Sequence, residues 1–121
     1  FKRRKFFEFS ISQGYPDGIA LDNEGGLWVA HWAGARVSRI NKNGKIDFSI
    51  NLPALNITSV TFVGKKLNYL FITSAKIDTS KRHLEKYIYS GSSFLLKTNF
   101  KGQSIPYASI KMLKSIHHLQ Q

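Results

Sequence analysis

Cysteine is absent from this 121-residue chain, which excludes disulfides, thiolate catalysis and cysteine-ligated zinc and leaves the redox compartment open. No stretch approaches the roughly 18 consecutive apolar residues of a membrane helix. The opening FKRRKFFEF also lacks the apolar h-region of a signal peptide. A cytoplasmic location with no membrane partner is the default expectation. A Gly-x-Ser-x-Gly elbow, a phosphate loop and a dinucleotide fingerprint are likewise missing, so serine-hydrolase and nucleotide-dependent chemistry have no support. Phe1 stands where an initiator Met would. The expectation is a sequence that begins mid-protein, by processing or as a fragment.

Acidic residues are scarce: 7 Asp+Glu against 18 Lys+Arg give a net charge of +11. Such a balance raises nucleic acid or another polyanion as a partner. Outside Lys2-Arg3-Arg4-Lys5, however, the basic residues are scattered at turns and alternate strand positions such as Arg36, Arg39, Lys42 and Lys45. No recognition helix, zinc module or aromatic-basic RNA motif accompanies them. A solvated basic surface without a nucleic-acid partner is expected. Lys2-Arg3-Arg4-Lys5 also has the composition of a nuclear-localisation stretch, but it abuts a strand pattern and reads better as that strand's basic edge.

What is present suits one globular unit: 42% hydrophobic and 13% aromatic residues. Phe7, Phe9 and Ile11 alternate with Glu8 and Ser10 as a half-buried strand. Short strands follow at residues 19–21, 27–32, 36–40 and 45–52, separated by Asp22-Asn23-Glu24-Gly25-Gly26 and by an Asn43-Gly44 hairpin signal. In this reading Gly14-Tyr15-Pro16-Asp17-Gly18 is a turn entering a strand, and residues 36–40 alternate between two faces. Four strands in about 35 residues make one propeller blade or one small meander.

The design then repeats. Ile57-Thr58-Ser59-Val60-Thr61-Phe62 aligns with Pro16-Asp17-Gly18-Ile19-Ala20-Leu21, and Asn68-Tyr69-Leu70-Phe71-Ile72-Thr73 with Gly26-Leu27-Trp28-Val29-Ala30-His31. The offset, about 41 or 42 residues, is the period of four-stranded blades. An insertion at 78–89 has a Thr or Ser N-cap and few breakers, and reads as a short helix. A strand resumes at 92–97, and residues 109–113 offer another. Two blades cannot close a ring, so the chain reads as the end of a longer propeller.

The segment GYPDGIALDNEGGLWVAHWAGARVSRI, residues 14–40, carries the pattern PDG-x-x-x-D-x-x-G-x-L-W-V-A followed by Gly and Arg-Val. With it the chain resembles the senescence-marker-protein/gluconolactonase (regucalcin-like) family. The likeness continues through NITSVTF at 56–62, LFITSA at 70–75 and GSSFLL at 91–96, covering about residues 3–107. It implies an all-β fold: a six-bladed β-propeller of which this chain supplies about the last two blades, with one short helical insertion. Residues 1–13 would end the preceding blade, 14–53 form one blade, 54–113 the last, and 114–121 a tail.

The resemblance also implies a function: hydrolysis of aldonolactones, in the manner of gluconolactonases and arabinonolactonases, with one divalent metal ion (Ca, Zn, Mg, Mn or Fe) in the central channel. Three ligands hold that metal in the family, a Glu, an Asn and the Asp of the PDG motif. Only the last maps here, onto Asp17, which would be both metal ligand and catalytic base. The other two would lie upstream, so the chain by itself is expected to be inactive. Taken without the family, Pro-Asp-Gly reads better as an ordinary turn, its Asp satisfying nearby backbone amides.

Thr58, Ser59 and His31 are further candidates for contact with a sugar lactone, each with packing or capping as its alternative. Asp22, in its D-x-x-G turn, is expected to bond backbone amides. His117-His118 lacks a partner cluster and is a weak metal candidate. The rival to a lactonase is a propeller that has kept the fold as a binding or scaffold module without the chemistry.

Overall fold

The computed structural model describes residues 2–107. Seven strands fall into two antiparallel sheets: β1 (Tyr15–Leu21), β2 (Leu27–Trp32), β3 (Arg36–Ile40) and β4 (Ile46–Asn51) in the order β1-β2-β3-β4, then β5 (Asn56–Val63), β6 (Tyr69–Ala75) and β7 (Ser93–Lys97) in the order β5-β6-β7. Between β6 and β7 lies one helix, α1 (Lys81–Lys86), whose first turn is closed by the Ser80 hydroxyl accepting from the His83 N–H at 3.2 Å.

The sheets meet face to face over one apolar core. Trp28, Ala30 and Val37 from the first sheet pack on Ile57, Val60, Phe62, Leu70 and Ile72 from the second, joined by Leu52 and Ala54 from the connection. Burying a branched aliphatic side chain is worth about 1.5–3 kcal/mol, so this interface is the principal bond between the two blades. Trp28 anchors it, with Phe62 and Phe100 edge-on at 5.8 and 5.3 Å. The first strands of the two sheets lie side by side. A side chain on Gly18 would meet the Ser59 Cα at 2.7 Å and the Thr58 carbonyl oxygen at 2.8 Å.

Each end of the pair is also tied by hydrogen bonds to backbone groups. At one end the Asn23 N–H donates to the Lys101 carbonyl at 2.8 Å, and the Gly102 N–H to that of Leu67 at 2.8 Å. At the other, the buried Asn56 amide accepts from the Ala33 N–H at 3.1 Å and donates to the Ile77 carbonyl at 2.8 Å. One side chain thereby holds the loop after β2 and the loop after β6.

Several local expectations are corrected. Residues 7–11 form no strand. Nothing among the described residues pairs with them, Phe7 and Phe9 fold onto each other at 4.8 Å, and the chain enters a single 3-10 turn at Ile11–Gln13. The turn expected at residues 14–18 is instead strand, because β1 begins at Tyr15 and absorbs the extra length in a bulge. Residues 36–40 do not alternate in burial: Val37, Ser38, Arg39 and Ile40 are all buried, since β3 is an interior strand covered on both faces.

The second sheet shows three strands among the described residues, not four. The repeat also has a different register. Ala20 opposes Trp28 and Phe62 opposes Leu70, all turned into the shared core. At Ala20 and Phe62 the first strands thus superpose one residue away from the sequence alignment, and beyond the two bulges Ser59, opposite Thr73, takes the ladder position of Pro16, opposite His31. The strand expected at 109–113, the tail and His117-His118 lie outside the described residues.

Candidate functional site

The β1 ladder pairs Pro16 with His31 and Ile19 with Val29, so Asp17 and Gly18 together face Ala30 alone. A bulge of this kind bends a strand and re-aims a side chain. Here it leaves Asp17 exposed and outside every ion pair formed among the described residues. Pro16, with no N–H to give to a ladder, is compatible with the irregularity. Gly18 permits the close approach of β1 to β5 and so sets the Asp17 strand directly against Thr58 and Ser59.

A second bulge interrupts β5 between Ile57 and Ser59. Thr58, the residue it accommodates, is half-buried and shares a hydrogen bond with the Thr73 hydroxyl at 2.7 Å. Ser59 is exposed. The structure therefore brings Asp17, Thr58 and Ser59 to one edge, with Ser59 the freer hydroxyl.

His31 lies apart from them. Its side chain has 0% exposure, its Nδ1 bonds the Gln13 carbonyl at 2.7 Å, and the Phe9 ring covers it edge-on at 4.3 Å. Its Nε2 is buried without a hydrogen-bond partner among the described residues. Burial pushes the imidazole below its ordinary value of 6.5, opposed by the Gln13 carbonyl and aided by the charge of Arg36. A substrate would reach this ring only if Phe9 moved.

Asp22 is wholly engaged in structure. One carboxylate oxygen accepts from the backbone N–H groups of Glu24 (3.0 Å) and Gly26 (2.8 Å), and the other from Trp28 Nε1 (2.9 Å) and Arg39 Nε (2.6 Å). Burial alone would raise its pKa; the bonds from Arg39, Gly26 and Trp28 outweigh burial and hold it below the ordinary carboxylate value. Sequence reasoning missed Arg39, which also meets Asp47 at 2.7 Å and Glu24 at 3.2 Å and lies 4.3 Å over the Phe100 ring. Nothing in the spacing of Asp22, Glu24, Asp47 and Phe100 identifies them as neighbours of one guanidinium.

Among the described residues no three His, Asp or Glu side chains converge as a metal site. Asp17 fits the role of one hard oxygen ligand, and the remaining donors of a full shell are not found beside it.

Two antiparallel sheets stacked face to face, with first strands adjacent and a carboxylate at their common edge, define a section of a β-propeller. The chain belongs to the SMP-30/gluconolactonase/LRE-like family, whose model matches residues 1–76. It is 42% identical to regucalcin of Danio rerio over 93 residues, covering 76% of this chain and 32% of that protein. It is 37% identical to the 6-deoxy-6-sulfogluconolactonase of Pseudomonas putida over 95 residues, 78% of this chain and 33% of that one.

Among solved structures, a calcium-binding protein, regucalcin, of Agrobacterium tumefaciens superposes with a TM-score of 0.81 at 25% identity, covering 91% of this chain and 37% of its own. A luciferin-regenerating enzyme gives a TM-score of 0.66 at 31% identity, with coverages of 78% and 32%. The chain thus spans about a third of the length of the curated relatives it matches.

Proposed function

We propose that this chain is the C-terminal part, about two blades of six, of a metal-dependent lactonase that opens aldonolactones, with Asp17 at the reacting centre. Residues 14–53 and 54–113 are the two blades in this reading, the second carrying the insertion at 78–89, with 1–13 ending a preceding blade and 114–121 a tail. One observation carries the proposal: the bulge that turns Asp17 out of the β1 ladder where β1 abuts β5. The lactonase among the relatives supports a sugar lactone as the substrate class, and the calcium-binding structural neighbour supports a divalent cation.

A divalent cation (Ca, Mg, Mn, Zn or Fe), when bound, supplies Lewis acidity toward the ring carbonyl. The chain's own contribution is the Asp17 carboxylate. It would be one of the groups holding the cation, and it takes a proton from the water that attacks the carbonyl and returns it to the ring oxygen as the ester C–O bond opens. In this reading Ser59, exposed, and Thr58, held by Thr73, contact substrate hydroxyls. With one carboxylate at this edge, the chain alone binds metal weakly and does not turn over.

The test compares metal affinity and aldonolactone hydrolysis in this chain and in a protein of the relatives' full length that contains it, with and without Asp17→Ala. Hydrolysis that survives the substitution discards the proposal. Loss of activity with the fold intact supports it. A full-length protein lacking a Glu and an Asn ligand, and inactive in the unsubstituted form, would be a binding or scaffold propeller.

A further inference from the structure

The lysines that look scattered in the sequence are gathered by the fold at one end. The turns after β1, β3 and β5 and the segment after β7 all emerge on the side away from Asp17, because Leu21 opposes Leu27, Ile40 opposes both Leu27 and Ile46, and Val63 and Lys97 both oppose Tyr69. These connections carry Lys42, Lys45, Lys65, Lys66, Lys97 and Lys101, all exposed.

They form one field. Lys65, Lys66 and Lys101 line a shallow groove with Asn23. Across the same β1–β2 turn, Lys42 lies over Gly25, whose added Cβ would meet its Cε at 2.7 Å, and it lines a second depression with Arg4.

No carboxylate among the described residues is paired with them. Asp22, Glu24 and Asp47, the acids of this end, all bind the nearly buried Arg39 guanidinium, and none of the six lysines enters an ion pair among the described residues. Seven cations, Arg39 and the six lysines, stand against these three carboxylates, so this end keeps an excess of exposed positive charge.

We infer that this end is a docking surface for an anionic lipid bilayer, which it meets as a flat polybasic face with the Asp17 edge directed away into solvent. The chemistry favours a membrane over nucleic acid. The free cations here are almost all lysine, point charges on flexible stems without the bidentate fork of arginine. Of the rings at this end, Phe100 is covered by Arg39 and Trp28, and the exposed Tyr69 is an amphipathic ring that the headgroup level of a bilayer accepts. Lysines at a bilayer surface add their attraction nearly independently of exact placement, as turn-borne side chains require. Attachment of this kind needs no membrane span, so it is compatible with the absence, among the described residues, of any helix long and apolar enough to cross one.

Co-sedimentation of the 121-residue chain with phosphatidylcholine vesicles, with and without about 30% phosphatidylserine, tests the inference. Binding is expected only to the anionic vesicles, and it should be lost by about 0.5 M salt, where the screening length is only a few ångströms. The variant Lys65→Glu, Lys66→Glu, Lys101→Glu should bind at least about tenfold more weakly. The variant Lys81→Glu, Arg82→Glu on α1, at the other end, should bind like the parent. Circular dichroism and thermal melting establish that both variants fold. Equal binding to neutral vesicles, an unaffected triple variant, equal loss in the α1 variant, or release from anionic vesicles by RNA at stoichiometric amounts would each overturn it.

Discussion

Arg39 Nε sits 2.6 Å from Asp22 Oδ2 with the two side chains 6% and 0% exposed, an ion pair closed off from water beneath the β1–β2 turn. Trp28 and two backbone N–H groups bond the same carboxylate but carry no charge, so removing Arg39 strands Asp22 in a low-dielectric site, whereas Arg39 without Asp22 keeps Asp47 and Glu24. Breaking such a pair from one side costs about 3–5 kcal/mol. Arg39→Leu should lower the unfolding free energy measured in urea by an amount in that range, and Asp22→Asn by less. The double variant should lose less than the sum of the two, which a double-mutant cycle measures.

Acid should weaken the fold in two stages. His31 is depressed in the folded state below its ordinary value of 6.5, so the unfolded chain takes up its proton first and stability falls as pH drops from that value toward the folded pKa. Asp22, depressed below its ordinary 3.8, adds a second loss as pH falls from that value through the folded pKa. Unfolding midpoints measured from pH 7 to pH 3 should show both. His31→Gln should flatten the upper stage and leave the lower.

Gly18→Ala should damage the contact between the blades. The added methyl would lie 2.6 Å from the Ser59 hydroxyl oxygen and 2.7 Å from the Ser59 Cα. The hydroxyl can rotate away, but the backbone atom cannot. Overpacking of this sort costs about 1–3 kcal/mol. Thermal denaturation reads the loss, and restoring stability with Ser59→Gly in the same chain should fail, since the Cα and the Thr58 carbonyl remain.

Asp17→Asn should leave stability within about 0.5 kcal/mol, because the carboxylate is exposed and outside every ion pair among the described residues. In the full-length setting the same change should abolish aldonolactone hydrolysis. Stability unchanged with activity lost separates a chemical role from a structural one. A drop in the melting temperature comparable to that of Asp22→Asn would return Asp17 to the role of a turn residue.

The α1 cap should be modest and local. Ser80→Ala removes the hydroxyl that accepts from the His83 N–H and should cost about 0.5–2 kcal/mol. Hydrogen exchange should show faster opening of residues 81–86 with the β-sheets unaffected.

Strand content and repeat were legible because alternation, Asn-Gly turns and a blade-length period are local patterns that survive without tertiary context. The errors fall where a partner decides the outcome. Phe7, Phe9 and Ile11 alternate like a strand but join no ladder among the described residues. Ser38 alternates as though exposed, yet β3 is covered on both sides. Asp17 looked like a turn because a bulge and a turn use the same residues, Pro, Asp and Gly, and only pairing with β2 distinguishes them.

The sequence by itself determined the β class, the family signature around Pro16-Asp17-Gly18, and the excess of positive over negative charge. These depend on residue identity and on spacing along one chain. The tertiary structure alone decided that Asp17 rides a bulge against Ser59, that one buried arginine gathers Asp22, Glu24 and Asp47, and that six separated lysines share one end. Each of these is a contact between residues distant in sequence, fixed by sheet register and by the packing of two sheets, and no local pattern encodes it.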